Sequence, residues 1–182
     1  MRASLLPVGL YSPNTAVLQD DTLTLRPLVP EDAAHFERLL GPDADGVAMT
    51  SHLPYPLRAA QAREWIVMRT GPGGHVFGVL DAAGRFMGSM GFGGPKDGVP
   101  GFGYWIGLPY RNKGYATRAG RLCVAHAKAL GVKRMVAETF PGNEASARVL
   151  AKLGFKSAGP VDRFYPLRGG DRVLNLHLLD IV

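Results

Sequence analysis

The sequence predicts an α/β (α+β) fold in which one mixed, mostly antiparallel twisted sheet of about seven strands carries helices on both faces. Three observations point there. Short segments that alternate apolar and polar residues are interleaved with longer segments of helical spacing. The order strand, two helices, three strands, helix, strand, helix, two strands sets an antiparallel meander ahead of a strand–helix–strand unit, and only a mixed sheet accommodates both. Of the 182 residues 46% are hydrophobic and 20% charged, a balance that supports a packed core and is wrong for a disordered chain. One core suffices at this length, so residues 21–182 read as a single domain and residues 1–20 as an N-terminal arm.

The elements follow in order. TLTLR at 22–26 alternates as a half-buried strand should, with Leu23 and Leu25 facing the core. Pro30, Glu31 and Asp32 make a proline-led acidic first turn, followed by a stripe of Ala33, Phe36, Leu39 and Leu40 that Gly41 and Pro42 end. The span 42–56 lacks periodicity and reads as loop with room for a short helical turn. A helix is expected over 58–70 with Trp65 and Met68 on its apolar face. Strands at 75–80 and 85–91 enclose a turn at 81–84 and form a hairpin. After the glycine- and proline-rich loop at 93–100 come a strand at 102–106 and a helix running to about Leu130, which Gly131 closes. A strand at 132–139 leads to a helix that Asn143 caps and Gly154 stops. The tail reads as short strands at 155–158 and 164–167, separated by a proline-containing loop, then a Gly169-Gly170 turn and a last strand at 172–179.

Composition excludes several classes. The net charge of +6 comes from scattered Lys and Arg with no basic run, so it fits a polyanionic small ligand better than nucleic acid. The lone Cys123 leaves neither a disulfide nor a Cys-based metal site, and a reducing cytoplasm is the expected setting. Pro7 and Gly9 interrupt the apolar residues of the arm, so no signal peptide is expected, and no apolar run approaches the roughly 20 residues of a membrane span.

The richest chemistry lies in the turn RNKGYA at 111–116, between the aromatic strand GYWIG and a helix. Gly114 lets the backbone approach a ligand, Tyr115 and Ala116 open the helix with free N–H groups, and Arg111 and Lys113 add charge, which together suit a pyrophosphate. A solvated surface turn would have the same residues. The flank favours the first reading: Pro109 cannot pair with a neighbouring strand, so the ladder opens just before the turn and leaves backbone donors for a ligand.

GYWIGLPYRNKGYATRA resembles the acetyl-coenzyme-A motif of the GNAT superfamily of N-acetyltransferases, in which R/Q-x-x-G-x-G/A is the pyrophosphate loop. NEASARVLAKLGFKSAG at 143–159 is similar to the N-x-x-S-x-x-v-x-x-k-l-G-F segment of the RimJ/RimL branch, which includes ribosomal-protein N-terminal acetyltransferases, and TLTLRPLVPEDA at 22–33 resembles that branch's opening. The resemblance implies a GNAT fold and a transfer of acetyl from acetyl-CoA to a primary amine, either a protein N-terminus or a small molecule, by direct attack on the thioester. It implies Arg111, Asn112, Lys113, Gly114, Tyr115 and Ala116 as the phosphate loop, with backbone groups of Ile106 and Leu108 for the pantetheine arm. Asn143 would contact the cofactor, cap its helix, or both. Assembly is left open, with a homodimer among the options.

In this branch the serine that matches Ser146 sits near the coenzyme sulfur. Here Ser146 shares a helix face with Val149, Leu150 and Leu153, so its hydroxyl points toward the sheet, where it either bonds back to a helix carbonyl or protonates the departing thiolate. No tyrosine, the acid in many relatives, occurs between Thr139 and Phe155. The family often takes the amine's proton with a strand carboxylate, but Gly101 and Arg118 stand where carboxylates are expected. Glu138 is the nearest surviving candidate base, with a solvated strand-end carboxylate as its plain alternative. His75 is a second candidate, while His126 and Cys123 read as core. A non-catalytic acyl-CoA sensor is the competing function. Acceptor specificity is expected from the loop around 44–56, the loop at 93–100 and the final hairpin.

Overall fold

The computed structural model describes residues 13–96 and 99–181. Its elements are β1 (Leu18–Gln19), β2 (Leu23–Pro27), α1 (Ala33–Leu40), α2 (Ala44–Ala48), α3 (Ala59–Arg69), β3 (His75–Asp81), β4 (Phe86–Lys96), β5 (Val99–Ile106), α4 (Tyr115–Ala129), β6 (Arg134–Thr139), α5 (Glu144–Lys152), β7 (Lys156–Tyr165) and β8 (Gly170–Asp180). The strands form one eight-stranded sheet in the order β1-β2-β3-β4-β5-β6-β8-β7. All neighbours run antiparallel except β5 and β6, which α4 connects in parallel.

Each helix has a local cause. Before α1, Val29 is extended and Pro30 fixes the first turn, while the buried Asp32 accepts from the Val29 N–H at 3.0 Å and takes two bonds from Arg26 at 2.6 and 2.8 Å. Asp43 caps α2 by accepting from the Gly46 N–H at 2.9 Å. The short helical turn allowed for in the 42–56 span is this α2. In α3 the residues that bury are Ala62 and Ile66, and Trp65 packs on Phe36 with ring centroids 5.7 Å apart. Met68, expected on that face, is instead 72% exposed, because the face turned to α1 is centred on the 62/66 positions.

Strand alternation sends two sets of side chains to two cores. Phe77, Met90, Phe92, Phe102 and Ala137 pack against α4 and α5, where Ala119, Cys123, Ala127 and Leu150 meet them. Val76, Phe86 and Trp105 pack on the other face against Phe36, Leu40 and Ile66 of α1 and α3. Helices therefore cover both faces, as the pattern predicts.

Three sequence expectations are corrected. The sheet has eight strands, because residues 18–19 of the expected arm pair with β2 at Leu18↔Leu25 and Gln19↔Thr24; residues 1–12 of that arm lie outside the described residues. The expected loop at 93–100 continues β4 and β5 as far as a Lys96↔Val99 pair, so it is the tip of a long hairpin. The broken tail strand is one continuous β7: Pro160 sits within it because β7 is an edge strand, where a missing N–H is tolerated.

The feature that matters most is a seam. Among the described residues β5 pairs with β6 only at Gly101↔Val136. Beyond that point the strands separate, and the stretch from Phe102 to Ile106 presents an unpaired side in the middle of the sheet.

Candidate functional site

The seam is bounded at its far end by the turn before α4. Gly107 donates its N–H to the Met87 carbonyl of β4 at 2.9 Å, so by alternation the backbone groups of Ile106 face the seam. Pro109 lies in a 3-10 turn at Leu108–Tyr110, which ends pairing there. The chain then enters α4 through two left-handed residues, Asn112 at φ 62° and Gly114 at φ 81°. Gly114 is the N-cap, and no side chain caps α4, so the N–H groups of the first turn are left for another partner. A Cβ placed on Gly114 would meet nothing within 4 Å. The open space beside a bare helix N-terminus is what a phosphate requires.

That turn borders a cavity of about 480 Å³ running between α2, β5 and α5. Ile106, Arg111, Asn112, Gly114, Tyr115, Ala116, Asn143 and Ser146 all line it. Leu108 and Lys113 do not: the Leu108 carbonyl accepts from the Arg111 N–H, its side chain is exposed, and Lys113 Nζ donates to the Pro109 carbonyl at 3.0 Å. Arg111 is also committed, with Nε on the Ile106 carbonyl at 2.8 Å and a terminal nitrogen on Asp43. The cations on the cavity wall with no ion pair among the described residues are Arg148 and Lys152, one turn apart on α5. Sequence reasoning missed them. Their spacing of four on the helix opened by Asn143 is the signal that would have found them.

A second cavity, of about 320 Å³, lies on the α1/α3 face of β4 and β5. Its walls include Ser89, Gly101, Gly103, Trp105, Glu138, Arg69 and the segment Met49–Leu53. Both cavities are lined by Met49, Thr50, Tyr104, Trp105, Asn143 and Ser146. They meet where the seam opens.

Ser146 sits at that meeting point. It is half-buried and lines both cavities together with Tyr104 of β5. Burial pushes the Tyr104 phenol above its ordinary value, and the neighbouring Ser146 draws it partly back. Tyr104 of β5 thus sets a phenol beside Ser146, a meeting that only the fold could bring about. Asn143 caps α5, its Oδ1 accepting from the Ser146 N–H at 3.2 Å, and so orients the serine's turn while lining both cavities.

Glu138 is a buried wall residue of the second cavity, with its side chain 5% exposed. The solvated alternative is thereby excluded. Oε1 accepts from Arg163 Nε at 2.7 Å and Oε2 from the Tyr165 hydroxyl at 2.8 Å. His75 is buried on the opposite face, stacked on Phe92 with centroids 5.1 Å apart and 3.3 Å from His126. Cys123 is fully buried and burial pushes its thiol up, which fits an inert core residue. Gly101 supplies the single bridge to β6 and floors the second cavity, and Arg118 pairs with Asp20 and Asp21 of the β1–β2 turn.

Two of the segments expected to set acceptor specificity are physically joined. Arg168, after β7, donates from Nε to the Thr50 carbonyl at 2.7 Å and from one terminal nitrogen to the carbonyls of Val47, at 2.5 Å, and Leu53, at 2.7 Å. It holds the Met49–Leu53 wall to the last hairpin. Among the described residues no helix is long and apolar enough to cross a membrane.

A family profile described as acetyltransferase (GNAT) domain matches residues 22–156. No curated protein matches the chain. Among solved structures, a probable acetyltransferase of the GNAT family from Chromobacterium violaceum superposes with a TM-score of 0.80 at 19% identity, covering 99% of this chain and 92% of its own. A ribosomal-protein-S5-alanine acetyltransferase from Vibrio fischeri gives 0.74 at 19% identity, with 91% and 96% covered. The microcin C7 self-immunity acetyltransferase MccE, solved with acetyl-CoA and AMP, gives 0.72 at 18% identity, with 89% and 94% covered.

Proposed function

The chain belongs to the GNAT acetyltransferase family, whose acetyl donor is acetyl-CoA, and from that premise we propose that it is an N-acetyltransferase of the RimJ/RimL type acting on a primary amine. The observation that carries this is the meeting of two cavities at the Tyr104–Ser146 pair, across an opened seam. The first cavity takes the donor and the second the amine.

The donor fits what is present. Bare N–H groups of Tyr115 and Ala116, the open space at Gly114 and the cations Arg148 and Lys152 would meet a pyrophosphate. Backbone groups of Ile106 at the seam would orient the pantetheine arm, while Arg111 fixes the turn from behind. Acetyl-CoA supplies a thioester carbonyl at the seam, and attack by a neutral amine there forms the C–N bond as the C–S bond breaks.

Two protons must move. Ser146, beside the Tyr104 phenol where the cavities meet, gives one to the departing sulfur. Glu138 draws in the ammonium and receives its first proton, which frees the amine to attack; the second leaves the nitrogen as the C–S bond breaks and restores the Ser146 hydroxyl.

The test is a panel of small amines and N-terminal peptides with acetyl-CoA, following free thiol and the mass of the product. Amine-dependent thiol release with a 42 Da gain (about one acetyl for one hydrogen) is expected. Tight donor binding with no amine-dependent release would replace this reading with that of an acyl-CoA sensor.

A further inference from the structure

The second cavity has a chemical bias that its family membership does not supply. Ser89 and Trp105 face each other across β4 and β5 and are 1% and 7% exposed, yet neither Ser89 Oγ nor Trp105 Nε1 has a hydrogen-bond partner among the described residues. Leaving a buried polar atom so is destabilising, and such atoms are usually matched by a ligand or water. Both residues line the cavity.

Arg69 lines the same cavity. Its guanidinium lies over the Trp65 ring at 5.8 Å from the centroid, and a terminal nitrogen is 3.2 Å from His52 Nδ1. A guanidinium only donates, so that imidazole nitrogen accepts and carries no proton. No carboxylate pairs with Arg69 among the described residues. Burial pushes its guanidinium below its ordinary value, with the Tyr165 phenol acting the other way. Glu138, the acidic wall residue, is already matched by Arg163. The cavity therefore keeps one unmatched positive charge and two unmatched polar atoms, one of which, the indole N–H, can only donate.

We propose that the acceptor is a small amine that carries a carboxylate, with the carboxylate held by Arg69 and completed by Trp105 Nε1–H and the Ser89 hydroxyl, and the amine directed to the seam beside Glu138 and Ser146. This rests on the assignment of the second cavity to the amine. A volume of about 320 Å³ has room for an amino acid.

The experiment compares amines that differ only in the carboxylate: β-alanine against ethylamine, and L-leucine against 3-methylbutylamine. In the wild type the carboxylate member of at least one pair should have a kcat/KM higher by about tenfold to a hundredfold, the range of a hydrogen-bonded charge. In Arg69→Gln the preference should collapse while the KM for acetyl-CoA is unchanged, and Arg69→Lys should keep part of it. Ser89→Ala should raise the Tm of the free protein, since it removes an unmatched hydroxyl, while weakening the carboxylate amine several-fold. Equal rates within both pairs, or a preference that survives Arg69→Gln, would overturn the proposal and leave N-acetyl transfer standing. If no amine turns over, calorimetric titration of the CoA-bound protein with the same amino acids decides: binding that Arg69→Gln abolishes upholds the carboxylate site and removes the transfer reading, and no binding overturns the site too.

Discussion

Arg111 reaches 68 positions back along the chain to Asp43, so the turn that opens α4 is tied to the residue that caps α2. The contact passes directly over Gly46, where a Cβ would collide with both partners. Because α2 runs into Met49 and Thr50, which line both cavities, the turn before α4 and the wall of the second cavity share one support. Gly46→Ala and Asp43→Asn should each lower stability by about 1–3 kcal/mol and raise KM for both substrates. A rise for one substrate alone would show that the support is not shared, and steady-state kinetics with a melting curve reads both.

The α4 N-terminus makes a two-variant prediction. Gly114 has φ 81° and open space beside it, so Gly114→Ala costs strain of about 1 kcal/mol but blocks little. Gly114→Asp adds a negative charge against the phosphates. Acetyl-CoA should raise the Tm of the alanine variant and fail to raise that of the aspartate variant.

For the proton on sulfur, Ser146→Ala and Tyr104→Phe should each reduce kcat by about 10- to 100-fold, toward the low end of general-acid effects, with donor affinity nearly intact. Since the two side chains line the same meeting point of the cavities and would act on one proton, the double variant should lose little more than either single one. Multiplying losses would show two independent roles.

Gly103 faces the second cavity, and a Cβ there meets nothing within 4 Å. Gly103→Leu should fill the acceptor space without disturbing the fold. Expected is a loss of amine-dependent turnover of about 100-fold or more, by exclusion from a pocket of this size, with acetyl-CoA still stabilising the protein in a thermal shift.

Acid sensitivity follows from two histidines. Burial lowers the folded-state values of His126, helped by the charge of His75, and of His177, both from an ordinary 6.5. Lowered bases bind more protons when unfolded, so their contribution is complete above about pH 6.5 and is lost as pH falls through the folded values. Tm should therefore drop from pH 7 toward pH 5, and His126→Gln with His177→Gln should flatten that slope. An unchanged slope would place the acid sensitivity elsewhere.

Much of this was legible in the residues. Period-two runs and capped helical stripes located most elements, because each depends on local chemistry: Pro30 and Asp32 at the entry of α1, Asn143 and Gly154 around α5. The left-handed turn and uncapped start of α4 were legible for the same reason, since Gly114 and the helix start are neighbours in sequence. What depended on distant partners was not. Pro160 reads as a strand breaker until the sheet shows that β7 is an edge, and Met68 reads as core until α3 docks through Ala62 and Ile66. Tyr104 meets Ser146 only because β5 leaves β6, and Arg69 enters a cavity with Ser89 and Trp105 only once two faces close. No spacing along the chain encodes those meetings.

A sheet ordinarily has two borders, and a protein guards both against strand addition. This one has a third, running along Phe102 to Ile106 where β5 parts from β6 at Gly101. Nothing in the chain blunts it with a charge or a proline before Pro109. The acyl donor, lying along that border, would be its guard as well as its cargo. Protein kept without donor should then be the form most open to pairing with a foreign strand, and a saturating supply of coenzyme A should suppress aggregation beyond what its effect on melting explains.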